Sequence, residues 1–106
     1  MASSKAQLQY LLDQLSDLEE ITYRPMMGEY LLYFRGKLVA GIYDDRLLVK
    51  LTPMAKQLLP NAPMEPPYPG AKEMLLVEEI DDKPFLATLM QILYEALPEP
   101  KKKAKK

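Results

Sequence analysis

The side chains in this sequence that could carry acid–base or metal chemistry are carboxylates. They fall in two clusters, Asp44-Asp45 in mid-chain and Glu78-Glu79 with Asp81-Asp82 towards the end. Neighbouring carboxylates can share a proton or ligate a hard cation through oxygen. Neither cluster has the D-x-D-x-D-G spacing or the closing glutamate of a calcium loop. Carboxylates just ahead of a helix also stabilise its N-terminal end without any metal. Asp44-Asp45 is more simply a tight turn. The rest of the catalytic repertoire is missing: with no histidine and no cysteine, the commonest general base, the commonest metal ligand and thiolate chemistry are all absent. Ser3, Ser4 and Ser16 have no base to activate them and no G-x-S-x-G elbow, and the four glycines supply neither a dinucleotide fingerprint nor a P-loop. No catalytic residue, cofactor-binding residue or metal ligand is expected, and a binding protein is favoured over an enzyme.

Basic groups are the other chemical resource, and they are unevenly placed. Arg24, Arg35 and Arg46 lie among tyrosines, where a guanidinium can stack on a base or grip a carboxylate. Too few basic residues accompany them to make a nucleic-acid surface on the body, and a buried Arg24 paired with Glu29 is the favoured reading. The formal net charge is −1, but Lys101, Lys102, Lys103, Lys105 and Lys106 crowd the last six residues, and removing their five charges leaves −6. An acidic body repels phosphate, so any nucleic-acid contact would fall to the tail. A solvated terminus is the favoured reading of those lysines.

The elements that must position these groups belong to one domain. A chain of 106 residues, 48% apolar and 27% charged, matches an ordinary globular composition with room for one core. No run approaches the roughly 20 apolar residues of a membrane span. Met1–Leu15 lacks the apolar centre of a signal peptide, and the lack of cysteine suits a reducing compartment, so the expected location is the cytoplasm.

Ser3 and Ser4 precede Leu8, Leu11, Leu12 and Leu15, whose spacing predicts a helix over Lys5–Leu15. Ile21–Met27 contains Pro25 and is expected to be an edge strand or an extended lead-in. Glu29–Phe34, Lys37–Tyr43 and Arg46–Lys50 predict an antiparallel meander with turns at Arg35-Gly36 and Asp44-Asp45. Thr52-Pro53 opens a short helix ended by Pro60, and a proline-rich loop follows, with Met64 and Tyr68 expected to pin it across the sheet. Met74–Val77 predicts a further strand. Asp81 or Asp82 caps a last helix with Pro84 in its first turn and Pro98 beyond its end.

Alternation in the meander is weak. Either helices cover one face and tyrosines line the other, or a second subunit does the covering, and a homodimer is the preferred expectation. The wide apolar arc of the last helix, from Phe85 to Leu97, is a second reason for expecting self-association.

Tyr23-Arg24-Pro25-Met26-Met27-Gly28-Glu29-Tyr30, continuing through Gly36 to Lys50 with its Asp44-Asp45 turn and leucine-rich strand, resembles the N-terminal domain of the TfoX/Sxy family. The segment Tyr68–Met74 and the last helix resemble the short, free-standing members. The resemblance covers essentially Ala2–Pro98, giving a domain over 1–98 and a flexible lysine-rich tail over 99–106. It implies an α+β fold, a two-layer sandwich of the secretion-chaperone type with an antiparallel sheet and helices on one face. It also implies regulation through protein contacts, since long members regulate natural competence together with the cyclic-AMP receptor protein at promoters. The expected partner is therefore a protein, for instance a transcription factor. The candidate interaction surface is Arg24, Gly28, Tyr30, Tyr43, Asp45 and Arg46. Nucleic-acid association through the lysine tail, and small-ligand binding or an uncharacterised enzyme, are the alternatives.

Overall fold

Three two-residue turns set the architecture. Met27-Gly28 (φ 53° and 86°), Arg35-Gly36 (52° and 85°) and Asp44-Asp45 (54° and 62°) all hold positive φ at both central positions. Turns of that hand match the natural twist of antiparallel strands. In the computed structural model, which describes residues 4–97, they join β1 (Ile21–Met26), β2 (Glu29–Phe34), β3 (Lys37–Tyr43) and β4 (Arg46–Val49) into a meander. The short strand β5 (Met64–Glu65) and β6 (Met74–Val77) complete a six-stranded sheet in the order β1-β2-β3-β4-β6-β5, every neighbouring pair antiparallel. Three helices, α1 (Lys5–Gln14), α2 (Pro53–Leu58) and α3 (Lys83–Ala96), pack with one face of this sheet. The fold is the expected α+β class in two layers.

Each helix begins where a side chain can accept its unpaired N–H groups. Gln7 N–H donates to Ser4 Oγ at 3.1 Å, Ala55 N–H to Thr52 Oγ1 at 3.2 Å and Phe85 N–H to Asp82 Oδ1 at 3.2 Å. At the other end of α3 the half-charge of the helix C-terminus meets a cation from the sheet. Lys37, only 7% exposed, donates its ammonium to the carbonyl oxygens of Tyr94 and Leu97, each at 2.8 Å.

Pro25 sits where its missing N–H costs nothing. Met26 and Glu29 close the first hairpin as opposed residues, and Glu20 O accepts from Arg35 N, so Thr22 and Arg24 share that ladder-facing parity. Pro25 has the opposite parity and presents its nitrogen to the open edge.

Alternation sends Leu32, Phe34, Ile42, Leu47, Val49, Leu75 and Val77 into the helix-covered core with Leu8 and Leu11 of α1 and Leu86, Leu89, Met90 and Leu93 of α3. Phe85, Tyr94 and Leu97 pack partly against the same core. Most of the wide arc of α3 is therefore occupied within the chain, Ile92 and the exposed Ala96 apart, which weakens it as a reason for self-association. Two local expectations change. Met27-Gly28 is a hairpin turn rather than a lead-in, and Met64–Glu65 forms a strand inside the proline-rich segment because Leu76 N–H reaches Pro63 O at 2.9 Å. Among the described residues no helix is long and apolar enough to cross a membrane.

Candidate interaction surface

The sheet face away from the helices is organised by one cross-strand row. Arg24 lies opposite Leu31, Leu31 opposite Gly41, Gly41 opposite Leu48 and Leu48 opposite Leu76, so five strands contribute one residue each. Residues in such a row share a face. Gly41 leaves a gap in its middle, and the ring of Tyr43 fills it: a Cβ added to Gly41 would stand 2.4 Å from Tyr43 Cε2 and 2.8 Å from Cζ. Tyr43 is thereby laid along the sheet and is 6% exposed, grouped with Leu48 and Met74 in a small second apolar cluster.

The proline-rich segment closes over this cluster from one side. Tyr68 meets Tyr43 edge-on, with centroids 6.4 Å apart and planes at 62°, a favoured geometry for two aromatic quadrupoles. Burial pushes the Tyr43 phenol above its ordinary pKa, with Tyr68 and Glu29 acting in the same direction. Between loop and sheet runs a half-open groove of about 790 Å³. Leu31, Leu38, Tyr43 and Met74 line it from the sheet, Pro67, Tyr68 and Ala71 from the loop. Lys50, Lys72 and Glu73 are its charged lining. Lys50 and Lys72 form no ion pair with any described residue.

The residues expected to form the interaction surface do not all meet here. Tyr43 and Arg46 lie on the outer face, where Arg46 Nε donates to Tyr43 O at 3.2 Å and its guanidinium pairs with Glu65. Arg24 is exposed at the β1 end of the row rather than buried. Gly28 is the second residue of the β1–β2 turn and acts through its backbone (φ 86°). Tyr30 is on the opposite face, packed against the main core and edge-on to Tyr23 at 5.9 Å. Asp45 is tied to α1: its Oδ1 accepts from Ser4 N–H at 2.7 Å and its carbonyl from Gln7 Nε2 at 3.1 Å. Lys101, Lys102, Lys103, Lys105 and Lys106, like the whole 99–106 tail, lie outside the described residues.

Leu31, Leu38, Met74, Lys50 and Lys72 escaped sequence reasoning because nothing local marks a strand's outer residues as groove lining. The available signal was Tyr68 amid prolines, a bulky ring on a stiff loop that has to rest on something. Half of the second carboxylate cluster is engaged in structure: Asp82 caps α3, and Asp81 accepts a hydrogen bond from the Tyr10 hydroxyl, a bond that raises the Tyr10 pKa ahead of a smaller effect of burial, while Glu78 and Glu79 are exposed. Among the described residues no three acidic groups are placed to hold a metal ion.

Comparison with known proteins adds a lineage. The family described as the TfoX N-terminal domain matches residues 13–92, from within α1 through most of α3. A Spirochaeta aurantia protein, described as an uncharacterised 12.7 kDa protein in the trpE 5′ region, is 32% identical over 107 residues. The match covers 99% of this chain and 93% of that one. No solved structure matches the chain.

Proposed function

This chain belongs to the TfoX N-terminal domain family, and from that premise we propose that it is a non-enzymatic adaptor that grips a partner protein through the groove on its outer sheet face. Its role is regulatory, of the transcriptional, competence-like kind, and its place is the cytoplasm. The observation that carries this is the groove itself: about 790 Å³, open on one side, lined mainly by aliphatic and aromatic side chains and containing no serine, threonine, histidine or cysteine. Such a surface supplies contact area and desolvation, which is what protein binding draws on.

Affinity co-purification from the native host tests it, with nuclease treatment, using the full chain, a form lacking residues 99–106, and a Leu31→Asp variant that puts a charge in the groove. A stoichiometric protein retained after nuclease and after tail removal, and lost with Leu31→Asp, is the expected result. A partner indifferent to Leu31→Asp, or nucleic acid alone and only with the tail present, would overturn it. The second outcome would favour the other reading, nucleic-acid association by the five terminal lysines.

A further inference from the structure

The groove carries a charge at odds with the rest of the molecule. Residues 4–97 hold nine lysines and arginines against fourteen acidic residues, the whole chain's 14 and 15 less the five tail lysines and Glu99, for a net −5. Yet the groove's charged lining is two lysines, Lys50 and Lys72, to one glutamate, Glu73. Arg24 adds a third cation at the β1 end of the row that runs through Leu31. None of these three cations is paired with a described residue, whereas two outer-face acids are engaged elsewhere: Glu65 of β5 pairs with Arg46, and Glu29 of β2 accepts from Asp44 N–H at 3.0 Å.

From this we infer that the groove's occupant is an acidic amphipathic helix of the partner protein, an inference that rests on the adaptor role proposed above. Its apolar residues, spaced i, i+3, i+4, i+7, settle on Leu31, Leu38 and Met74, and its flanking carboxylates meet Lys50 and Lys72. Shape favours a helix: a trough open on one side leaves half of a small ligand in water, while an amphipathic helix has a polar half to leave there. Met74 and Met26 give the lining an adaptable, polarisable surface of the kind that accepts helical side chains.

Other occupants fit less well. An added β-strand needs a free edge, but β1 presents the nitrogen of Pro25 and β5 is two residues long. A second copy docked face to face would bring two grooves of the same positive sign into one interface, which charge complementarity does not favour. Nucleic acid would meet an apolar floor on an acidic body.

The probes are two fluorescein-labelled peptides of about five helical turns, sharing one Leu/Met face and differing only in flanks of glutamate or lysine. Their anisotropy is measured with the full chain at low and near-physiological salt. The glutamate peptide is expected to bind at least about tenfold more tightly than the lysine peptide, with the margin shrinking as salt rises. Lys72→Glu, at an exposed position, should narrow the margin, and Lys50→Glu/Lys72→Glu should invert it while the thermal melt holds. Equal binding of the two peptides, a preference unmoved by charge reversal, or no binding of either would overturn the inference. So would light scattering that shows a dimer turned to monomer by Leu31→Asp, since a second copy would then be the occupant. If neither peptide binds but the co-purified partner is still lost with Leu31→Asp, the adaptor role stands and the acidic helix falls. If the glutamate peptide binds as expected but no groove-dependent partner is recovered, the groove's preference stands and the adaptor role falls.

Discussion

Lys37 and Tyr94 are joined twice: the lysine ammonium donates to the tyrosine's carbonyl oxygen at 2.8 Å and stands 4.1 Å from the centroid of its ring. A second bond to the Leu97 carbonyl, also 2.8 Å, places the charge on the C-terminal end of α3. One side chain from β3 thus anchors the last helix to the sheet through hydrogen bonds, the helix dipole and a cation–π contact.

Lys37→Met keeps the stem's bulk and deletes the charge. Two carbonyls lose a charged donor in a site where Lys37 is only 7% exposed. The expected cost is about 2 kcal/mol, or roughly 10 °C in Tm for a domain of this size. Urea unfolding should show a lower midpoint with an unchanged slope. An unchanged midpoint would mean that the ammonium's desolvation cancels its bonds.

Gly41→Ala tests the seat of the groove. The new methyl would meet the Tyr43 ring at 2.4 Å, and Tyr43 is hemmed in by Tyr68, so the ring has to leave the sheet. Overpacking of this kind costs about 1–3 kcal/mol. Near-UV circular dichroism should lose tyrosine signal, and Tyr43→Ala combined with Gly41→Ala should cost less than the two single changes summed. Strict additivity would show that ring and glycine do not communicate.

The meander and the three N-caps were legible in the sequence because each is local, a turn dipeptide or a capping oxygen. Helices on one face followed only from the family resemblance, since weak strand alternation left a helix-covered face and a subunit-covered one both open. Even the Asp44-Asp45 turn could be read from aspartate's tolerance of positive φ. The Met27-Gly28 hairpin was not, since methionine has no such tolerance and Pro25 argued against a ladder until its parity was known. The groove was hidden for a different reason. It arises from the approach of Tyr68 to Tyr43 across 25 residues of chain, and contacts of similar reach tie Asp45 to α1. Tyr30 takes the inner face by strand parity, which a run apolar on both faces does not reveal.

Met27 is 94% exposed and holds φ 53° at the first central position of its turn. Asparagine followed by glycine is the preferred dipeptide for a turn of this hand. Met27→Asn is therefore expected to stabilise the fold by about 0.5–1 kcal/mol, seen as a rise of a few degrees in Tm. If Tm falls instead, the methionine is held by a contact that its exposure conceals.

The Tyr43 phenol should titrate above its ordinary value of about 10, because burial and the neighbouring Tyr68 and Glu29 disfavour the phenolate. Between that value and the raised folded one, the unfolded chain has released the proton and the native state retains it. The native state then binds more protons, so stability falls as pH climbs through that window and is independent of this group below it. Tyrosinate absorbance near the ultraviolet should lose its late component in Tyr43→Phe, and that variant's melting temperature should decline less steeply at high pH. Identical titration curves for the two proteins would place Tyr43 in water.

Deleting residues 99–106 removes five lysines and Glu99 and takes the net charge from −1 to −5. The groove lies wholly within the described residues, so affinity for the glutamate-flanked peptide should hold or weaken only slightly, by loss of long-range attraction. Any retention on labelled single-stranded DNA should vanish. For the full chain, the slope of log K against log salt should be no steeper than about −3.5, the limit for five lysines each displacing one counterion at roughly 0.7 per phosphate. A steeper slope would require cations from the folded body, with Arg24, Lys50 and Lys72 the first to substitute. Such a result would turn the positive groove from a protein-binding surface into part of a nucleic-acid one.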